Sequence, residues 1–576
     1  MGTGIVPSEK QNRSRGKAEP IAPAAPLGID LGTTFSCVAQ VNSRGVPRTL
    51  PNADGDLVTP SVVFFDTDAC VVGKEAVKAA FVQPEMIARC VKREIGKPAF
   101  WKAFDGEQYP PEVIQSLILE KLKEDAQLKV GPVVDAVITV PAYFSEPKRR
   151  ATQDAGRLAG LNVLDIINEP TAAAIAFGVE EGFLDAGGEA KSEETILVYD
   201  LGGGTFDVSV VRVETNRFRV LATDGDFQLG GVDWDQKIAD QISADFFVEH
   251  LVDPSDTALG EQRLLSEAED AKRSLSSREK VPIHFEHGGE SLSVPLTRKA
   301  FEQMTASLLE RTRFTTSKVV RDAGLKWADV TRILLVGGST RMPAVTEMLE
   351  NESGMRVDHS LAADEAVAHG AAIYANLIRR TEGSQPRLQL DNVEITNVNS
   401  HDLGVLGLEK ATGMQRNKVL LRRNTALPAK HGAAFTTATD GQTSVAVRVV
   451  EGGDAGGNHS TAIGKCVIRG LPPGLPEGTQ VNVVFQYENN GRLTVRATIP
   501  SLGKAAKMDI QRESSLSDSR LAEWSTRIRN RSNGSAAEMP APEGAAPEGA
   551  GQSNSGKAES DEDGLSDIFD IDDFLQ

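Results

Sequence analysis

Gly28-Ile29-Asp30-Leu31-Gly32-Thr33-Thr34 and Asp200-Leu201-Gly202-Gly203-Gly204-Thr205-Phe206-Asp207 decide how this chain is read. Each stretch follows an apolar run and places an aspartate ahead of a glycine turn and a hydroxyl residue. Glycine lacks a Cβ, so backbone N–H groups can converge on an anion. The threonine hydroxyls add donors to phosphate oxygens. The aspartates add negative charge where hydrated Mg²⁺ can sit. One such loop is also what an ordinary turn between strands looks like, with Asp and Thr as turn residues. Two copies predict a cleft in which two similar lobes grip one nucleotide from opposite sides. Asp30 and Asp200 are then candidates for holding Mg²⁺ through water. Thr33, Thr34 and Thr205 are candidates for the β- and γ-phosphates.

Around these loops the pattern is α/β. From Leu27 to about Ala375, short apolar runs such as Ala136–Val140, Thr195–Tyr199 and Ile333–Val336 read as strands buried on both faces. Amphipathic stretches between them, such as Glu112 to Lys123, read as helices. A third glycine turn, Val336-Gly337-Gly338-Ser339-Thr340-Arg341, could pass under a base and ribose, or be a plain turn. Glu169, in Asn168-Glu169-Pro170-Thr171, could position an attacking water, or simply open a helix. Lys92, in Val91-Lys92-Arg93-Glu94, could stabilise phosphoryl charge. From spacing alone it reads as a surface helix lysine.

The rest of the chain changes character. Ser384-Gln385-Pro386 breaks the last helix. From Leu403 to Ile510 the hydrophobic period becomes two, with turns at Asp440-Gly441 and Asn490-Gly491. This predicts a separate antiparallel β domain. A short helix opens near Ser517 or Ser519 and runs to about Arg529. Ser, Gly, Ala, Pro and Glu then dominate, which predicts disorder. Ile568-Phe569-Asp570-Ile571-Asp572-Asp573-Phe574-Leu575 closes the sequence with acidic and large apolar residues alternating. It reads either as a solvated tail or as a partner-docking peptide.

Length and composition narrow the function. At 576 residues, several domains are expected. The net charge of −19 argues against nucleic acid or an anionic membrane as a general partner. No apolar stretch reaches the roughly 18 residues needed to cross a bilayer. Residues 1–26 lack the apolar core of a signal peptide and read as a disordered arm. Cys37, Cys70, Cys90 and Cys466 are scattered, so neither a zinc site nor a disulfide framework is expected, and a reducing cytoplasm fits.

Several of these motifs together closely resemble the seventy-kilodalton heat-shock chaperone family. They are GIDLGTTFSCV (28–38), VPAYFSEPKRRATQDAG (140–156), IINEPTAAAIAFG (166–178), YDLGGGTFDVSV (199–210) and VGGSTRMP (336–343). The resemblance covers roughly residues 27–510. It implies an actin-like two-lobed ATPase domain (27–387), a linker (388–402), a peptide-binding β-sandwich (403–511), a lid remnant (512–530) and a disordered acidic tail (531–576). It implies ATP or ADP with Mg²⁺ as cofactors, and K⁺ as a further candidate ion. By position, Lys92, Glu169, Asp200, Thr205 and Asp207 fall on catalytic places, and the resemblance thus moves Lys92 from the surface to the site. Gly32, Thr33, Thr34, Phe35, Gly202, Gly203 and Gly204 fall on the phosphate loops. Glu269, Lys272, Arg273 and Ser276 match positions that cradle adenosine, and Gly337, Gly338, Ser339, Arg341 and Asp364 complete the pocket. Pro141 and Arg149 match a relay between domains. In the β domain, Val445 falls on the central pocket of a peptide cleft, with Val405, Leu408, Phe435, Ala438 and Val447 around it. Read from period alone, the same residues are sandwich core.

Four departures accompany the resemblance. The linker reads Val393-Glu394-Ile395-Thr396-Asn397, where the family has leucines followed by aspartate. Each apolar side chain lost from docking would cost ~1–2 kcal/mol. Asp165 replaces an arginine that meets a J-domain partner, which reverses the sign of that contact. The lid is too short to enclose a bound peptide. Ala362-Ala363 stands where Asn-Pro is usual before Asp364. The expectation is an ATP-driven chaperone for extended apolar segments of unfolded clients. A nucleotide-exchange factor is a candidate partner, and a J-domain partner is doubtful. The alternative is a nucleotide-sensing adaptor that holds one dedicated partner. A sugar kinase shares the phosphate loops, but the β domain and Glu269–Ser277 argue against it.

Overall fold

The computed structural model describes residues 25–67, 69–184, 192–381, 393–409, 412–489, 491–509, 518–532 and 569–571. The expected arm up to residue 24, the break at Ser384–Pro386 and most of the tail lie outside the described residues. Ala25, assigned to the arm, is buried, and its carbonyl accepts a bond from Gln40 Nε2 at 2.6 Å.

The first lobe is built on β1 (Leu27–Asp30), β2 (Phe35–Val41), β3 (Pro47–Thr49), β4 (Asp135–Val140) and β5 (Asn162–Asn168), ordered β5-β4-β1-β2-β3. Four of its helices matter below: α1 (Val91–Glu94), α2 (Pro111–Val130), α3 (Glu146–Leu158) and α4 (Glu169–Glu180). The second lobe repeats the plan with β6 (Glu194–Leu201), β7 (Phe206–Glu214), β8 (Arg217–Asp226) and β9 (Arg332–Val336), in the order β9-β6-β7-β8. In each lobe the candidate phosphate loop joins an antiparallel pair, β1–β2 or β6–β7. The first strand of each pair has a parallel neighbour on its other edge, β4 or β9. The two loops are therefore equivalent positions of two similar mixed sheets.

The apolar run Thr195–Tyr199 shows why such strands read as buried on both faces. Leu197 and Tyr199 join the core beneath α5 (Gly231–His250) and α6 (Ala258–Leu275). Ile196 and Val198 join the other core, shared with α4 and α7 (Ala366–Thr381). Period two hands alternate side chains to two different cores. Gly28 has a packing role: a Cβ there would collide with the α7 backbone at Ala368 and Ala372.

The segment after the ATPase-like unit is a strand. Glu394–Thr396 forms β10 and extends the second-lobe sheet by pairing in parallel with Arg217–Arg219 of β8. Val393 and Ile395 pack on the core that holds Phe218 and Val220. Glu394, read as a weakness of the linker, sits opposite Arg217 in register and pairs with it at 2.9 Å.

The β domain comprises β11 (Leu403–Glu409), β12 (Gln415–Leu421), β13 (Ala429–Thr437), β14 (Val445–Glu451), β15 (Thr461–Ile468), β16 (Gln480–Tyr487), β17 (Leu493–Ile499) and β18 (Lys504–Asp509). β16 and β17 form the expected hairpin, with Tyr487 opposite Leu493; Asn490 of its turn lies outside the described residues. The helix α8 (Asp518–Ser532) leaves the β domain and packs on the first lobe. Trp524 and Ile528 join the core of α2, and the Trp524 ring lies 5.3 Å from that of Tyr109. Arg527 bonds Glu107 at 2.6 Å. The tail contributes one described strand, β19 (Phe569–Ile571), inside the β domain, where disorder was expected.

Candidate nucleotide site and peptide cleft

Both phosphate loops meet face to face. A Cβ on Gly203 would overlap the Thr34 side chain, and one on Gly204 would overlap Thr33. Gly337 has φ +84°, and a Cβ there would lie 2.5 Å from the Leu201 carbonyl oxygen and 2.7 Å from Asp200 Oδ1. Only glycine fits these places. Ser339 donates its hydroxyl to the Gly202 carbonyl at 2.9 Å and ties the third glycine turn to the second. The Thr33 hydroxyl is buried and has no hydrogen-bond partner among the described residues. Leaving a buried hydroxyl unpaired costs ~1–3 kcal/mol, so the cradle is short of one oxygen ligand.

Beside the loops lie three buried carboxylates, Glu169, Asp200 and Asp207, a partly buried one, Asp30, and one lysine. Lys92, from the four-residue α1, reaches Glu169 Oε1 at the start of α4 at 2.6 Å. Lys92 and Glu169 are 4% and 5% exposed, which overturns the surface reading of Lys92. Asp200 and Asp207 face each other across the β6–β7 hairpin. Asp30 ends β1 and accepts from Thr139 Oγ1 at 3.2 Å, and Asp207 accepts from the Tyr143 backbone N–H at 3.0 Å. Burial raises the Asp30 and Asp200 carboxyls, and the Glu169 charge raises them further, while Lys92 opposes. Asp207 is pushed up to about 8, mainly by burial and then by Glu169. The pocket therefore lacks positive charge. A hydrated divalent cation beside Asp30 and Asp200 would supply it and favour the ionised form of both carboxyls.

The adenosine-side candidates gather at the end of α6 and after β9. Lys272 pairs with Asp235 at 2.7 Å and donates to the Gly231 carbonyl at 3.0 Å. Arg273 pairs with Glu269 at 2.9 Å, and its guanidinium lies 5.2 Å from the Phe35 ring of the first lobe. Ser276 donates to the Lys272 carbonyl at 3.4 Å, and Arg341 pairs with Asp364. Gly32 is pressed against the Phe35 carbonyl, and a Cβ on Gly338 would sit 3.4 Å from Asp364 Oδ1. The Ala362-Ala363 departure keeps a backbone contact, with the Ala363 carbonyl accepting from Gly337 N–H at 3.1 Å.

Sequence reasoning missed Arg93. It donates to the Gly204 carbonyl at 2.8 Å and forks onto Asp233 at 2.5 and 3.2 Å, clamping first lobe to second. Its place next to Lys92 was the only signal. Asp233 also accepts from Gly230 N–H at 2.8 Å, so the start of α5 carries both bonds.

In the β domain, Val405, Phe435, Val445 and Val447 are fully buried in the sandwich core. Leu408 and Ala438 are partly exposed. The β19 strand runs between them: Asp570 pairs with both Leu408 and Thr436, Ile571 with Glu409, and Phe569 with Thr437.

The β domain touches the ATPase-like unit where the relay was expected. Ser400 donates to the Ala142 carbonyl, and His401 Nε2 lies 3.0 Å from the Tyr143 carbonyl. Arg423 pairs with Asp224 at 3.0 Å and Asp322 at 3.2 Å. Arg149 bonds Asn168 and the Phe144 and Ala142 carbonyls, one residue from Pro141. Asp165 is engaged internally: it accepts from the Tyr374 hydroxyl at 2.8 Å and from Ile166 N–H.

The sequence family described as Hsp70 protein matches residues 26–103 and 99–541 of this chain. Two curated relatives, both named chaperone protein DnaK, come from Halobacterium salinarum strains R1 and NRC-1. Each is 38% identical over 505 residues, covering 86% of this chain and 76% of the relative. No helix among the described residues is long and apolar enough to cross a membrane. Paired mixed sheets, facing glycine loops, an attached β domain and a match over most of the length converge on one conclusion: this chain belongs to the Hsp70 family.

Proposed function

We propose that this protein is an ATPase that drives a chaperone cycle, binding extended apolar segments of unfolded clients in the β domain. The observation that carries the reading is the buried Lys92–Glu169 pair among Asp30, Asp200 and Asp207, set beneath two loops that leave the Thr33 hydroxyl without a partner. Backbone N–H groups of 202–204 and the hydroxyls of Thr33, Thr34 and Thr205 bind the phosphates. Asp30 and Asp200 would hold a hydrated Mg²⁺, which would supply positive charge against the phosphates. Glu169 fixes the Lys92 ammonium so that it faces the γ-phosphoryl group. Glu169 or Asp207 orients the attacking water. Glu269, Lys272, Arg273, Ser276 and Arg341 border the adenosine, with K⁺ an additional candidate near the phosphates.

The route of the chain supports ATP gating. The strand β10, Ser400 and Arg423 all hold the β domain to the ATPase-like unit, and α8 is held on the first lobe, away from the cleft. Among the described residues, no helix covers the cleft in this docked state. Undocking after hydrolysis would free it to tighten. Peptide affinity measured with ATP and with ADP tests this: weaker binding with ATP is expected, and equal affinities reject gating. The relatives' name supports co-chaperones in general. Asp165, bound to Tyr374, offers no cation to a J-domain aspartate, whereas a nucleotide-exchange factor remains compatible.

The dedicated-adaptor reading draws on one observation, the β19 strand in the cleft. Suppression of aggregation of a generic unfolded protein separates the two readings, since a dedicated adaptor protects none.

A further inference from the structure

The β domain would be two separate sheets without the tail. On one side lie β15, β14, β11 and β12; on the other lie β13, β16, β17 and β18. The tail strand β19 joins them. It runs parallel to β11 through Leu408 and Glu409, and antiparallel to β13 through Thr436 and Thr437. Asp570 is paired on both sides at once. The edges of β11 and β13 thus stand about two strand spacings apart, roughly 9.5 Å, with backbone donors and acceptors facing a slot one strand wide. An extended backbone is what such a slot takes.

We propose that the C-terminal segment around Phe569–Ile571 is an internal ligand of this cleft, which any external extended polypeptide must displace. The inference rests on the reading of the β domain as a peptide-binding module and names its resident occupant. The sequence suits the role: large apolar residues recur at positions 569, 571 and 574–575, separated by aspartates. The aspartates keep the segment soluble when displaced. Residues 533–568 link it to α8, and at up to ~3.3 Å per residue that stretch exceeds the width of a domain, so chain length does not prevent the pairing. Attachment through such a tether supplies the segment at an effective concentration of about a millimolar. If the free segment binds with a Kd near ~0.1 mM, an outside ligand loses about tenfold in apparent affinity.

The test uses the full chain and its Asp570→Pro variant, which removes the backbone donor at the doubly paired residue. A second variant lacks residues 565–576. Two labelled probes are titrated by fluorescence anisotropy: a peptide of residues 565–576, and a leucine-rich heptapeptide. Both variants are expected to bind the tail peptide about tenfold more tightly than the unaltered chain. Equal affinity in all three proteins, or no binding of the tail peptide to any, overturns the proposal. The heptapeptide separates this failure from failure of the cleft itself. If it binds all three equally while the tail peptide binds none, the peptide site stands and the internal ligand falls. If the variants bind the tail peptide tightly and ignore the heptapeptide, the internal ligand stands and general client binding falls.

Discussion

At the residue scale, the informative contrast is between Asp30 or Asp200 and Lys92. The aspartates are legible because an acid, glycines and a threonine in that fixed order suit a cradle for phosphate and metal. Lys92 is not legible from spacing, because α1 has only four residues and no helical stripe to show which side is inside. Its burial is set by Glu169, 77 positions away, and a period count cannot see that. Arg93 is hidden for the same reason, since its partners Gly204 and Asp233 come from the other lobe. Lys92→Ala is expected to slow ATP turnover by about 100-fold or more while nucleotide still binds, because it removes a preorganised cation from the site of developing charge. Thr205→Ala should do the same to a smaller degree. Single-turnover hydrolysis beside calorimetric nucleotide binding separates the two effects, and unchanged turnover in both variants would show that the catalytic placement is wrong. Val445→Phe adds volume to a fully buried position in the sandwich core. Overpacking of this kind costs ~1–3 kcal/mol, so a lowered denaturation midpoint of the β domain is expected along with weaker peptide binding.

At the element scale, the linker shows how a one-dimensional comparison misjudges a strand. Read as a row of lost leucines, Val393–Asn397 looked like a weak coupling. As β10 it gains ladder bonds to β8, an apolar contact through Ile395, and a charge pair opposite Arg217. Register against Arg217 is decided by the neighbouring strand and is invisible in the linker itself. Both members of that charge pair are largely exposed, so it contributes little. Ile395→Asp should therefore release β10 and abolish the difference in peptide affinity between ATP and ADP, whereas Glu394→Gln should leave most of it. The ratio of the two dissociation constants in each variant is the measurement. The alternating strands of the β domain were legible as strands, since each buries one face. The slot between β11 and β13 was not, because pairing partners far apart in sequence define it.

At the scale of the whole molecule, the interface between the two units carries a proton-linked cost. Glu146 of α3 and Glu451 of β14 are buried against each other there, with Glu146 N–H donating to Glu451 Oε2 at 3.2 Å. Burial pushes Glu146 up to about 8 and Glu451 to about 7, against the pull of Arg149, Arg150 and Lys148 and beside the Tyr487 hydroxyl. Lys148, itself lowered to about 8, is packed against Phe144 and Phe227 of its own domain, so undocking changes it less. Separation returns both carboxyls toward their ordinary range near 4.5. The docked form thus holds extra protons between that range and pH 7–8. Its stability is full at low pH and falls as pH rises through 7 and 8. Raising the pH from 6 to 8.5 should favour the undocked form, seen as a larger radius of gyration by X-ray scattering. Glu451→Gln should flatten that response. A response of the opposite sign would mean that the carboxyls ionise in the docked form.

The Trp524 side chain, wedged against Tyr109 and 6% exposed, gives the chain an optical readout of its own. Indole emission shifts to longer wavelength on entering water, and the other three tryptophans lie outside α8. Trp101 is already exposed to solvent and contributes a steady background. Peeling α8 from the first lobe would therefore announce itself as a red shift without any attached dye, so whether and when nucleotide releases it can be followed in a stopped-flow cell on native material.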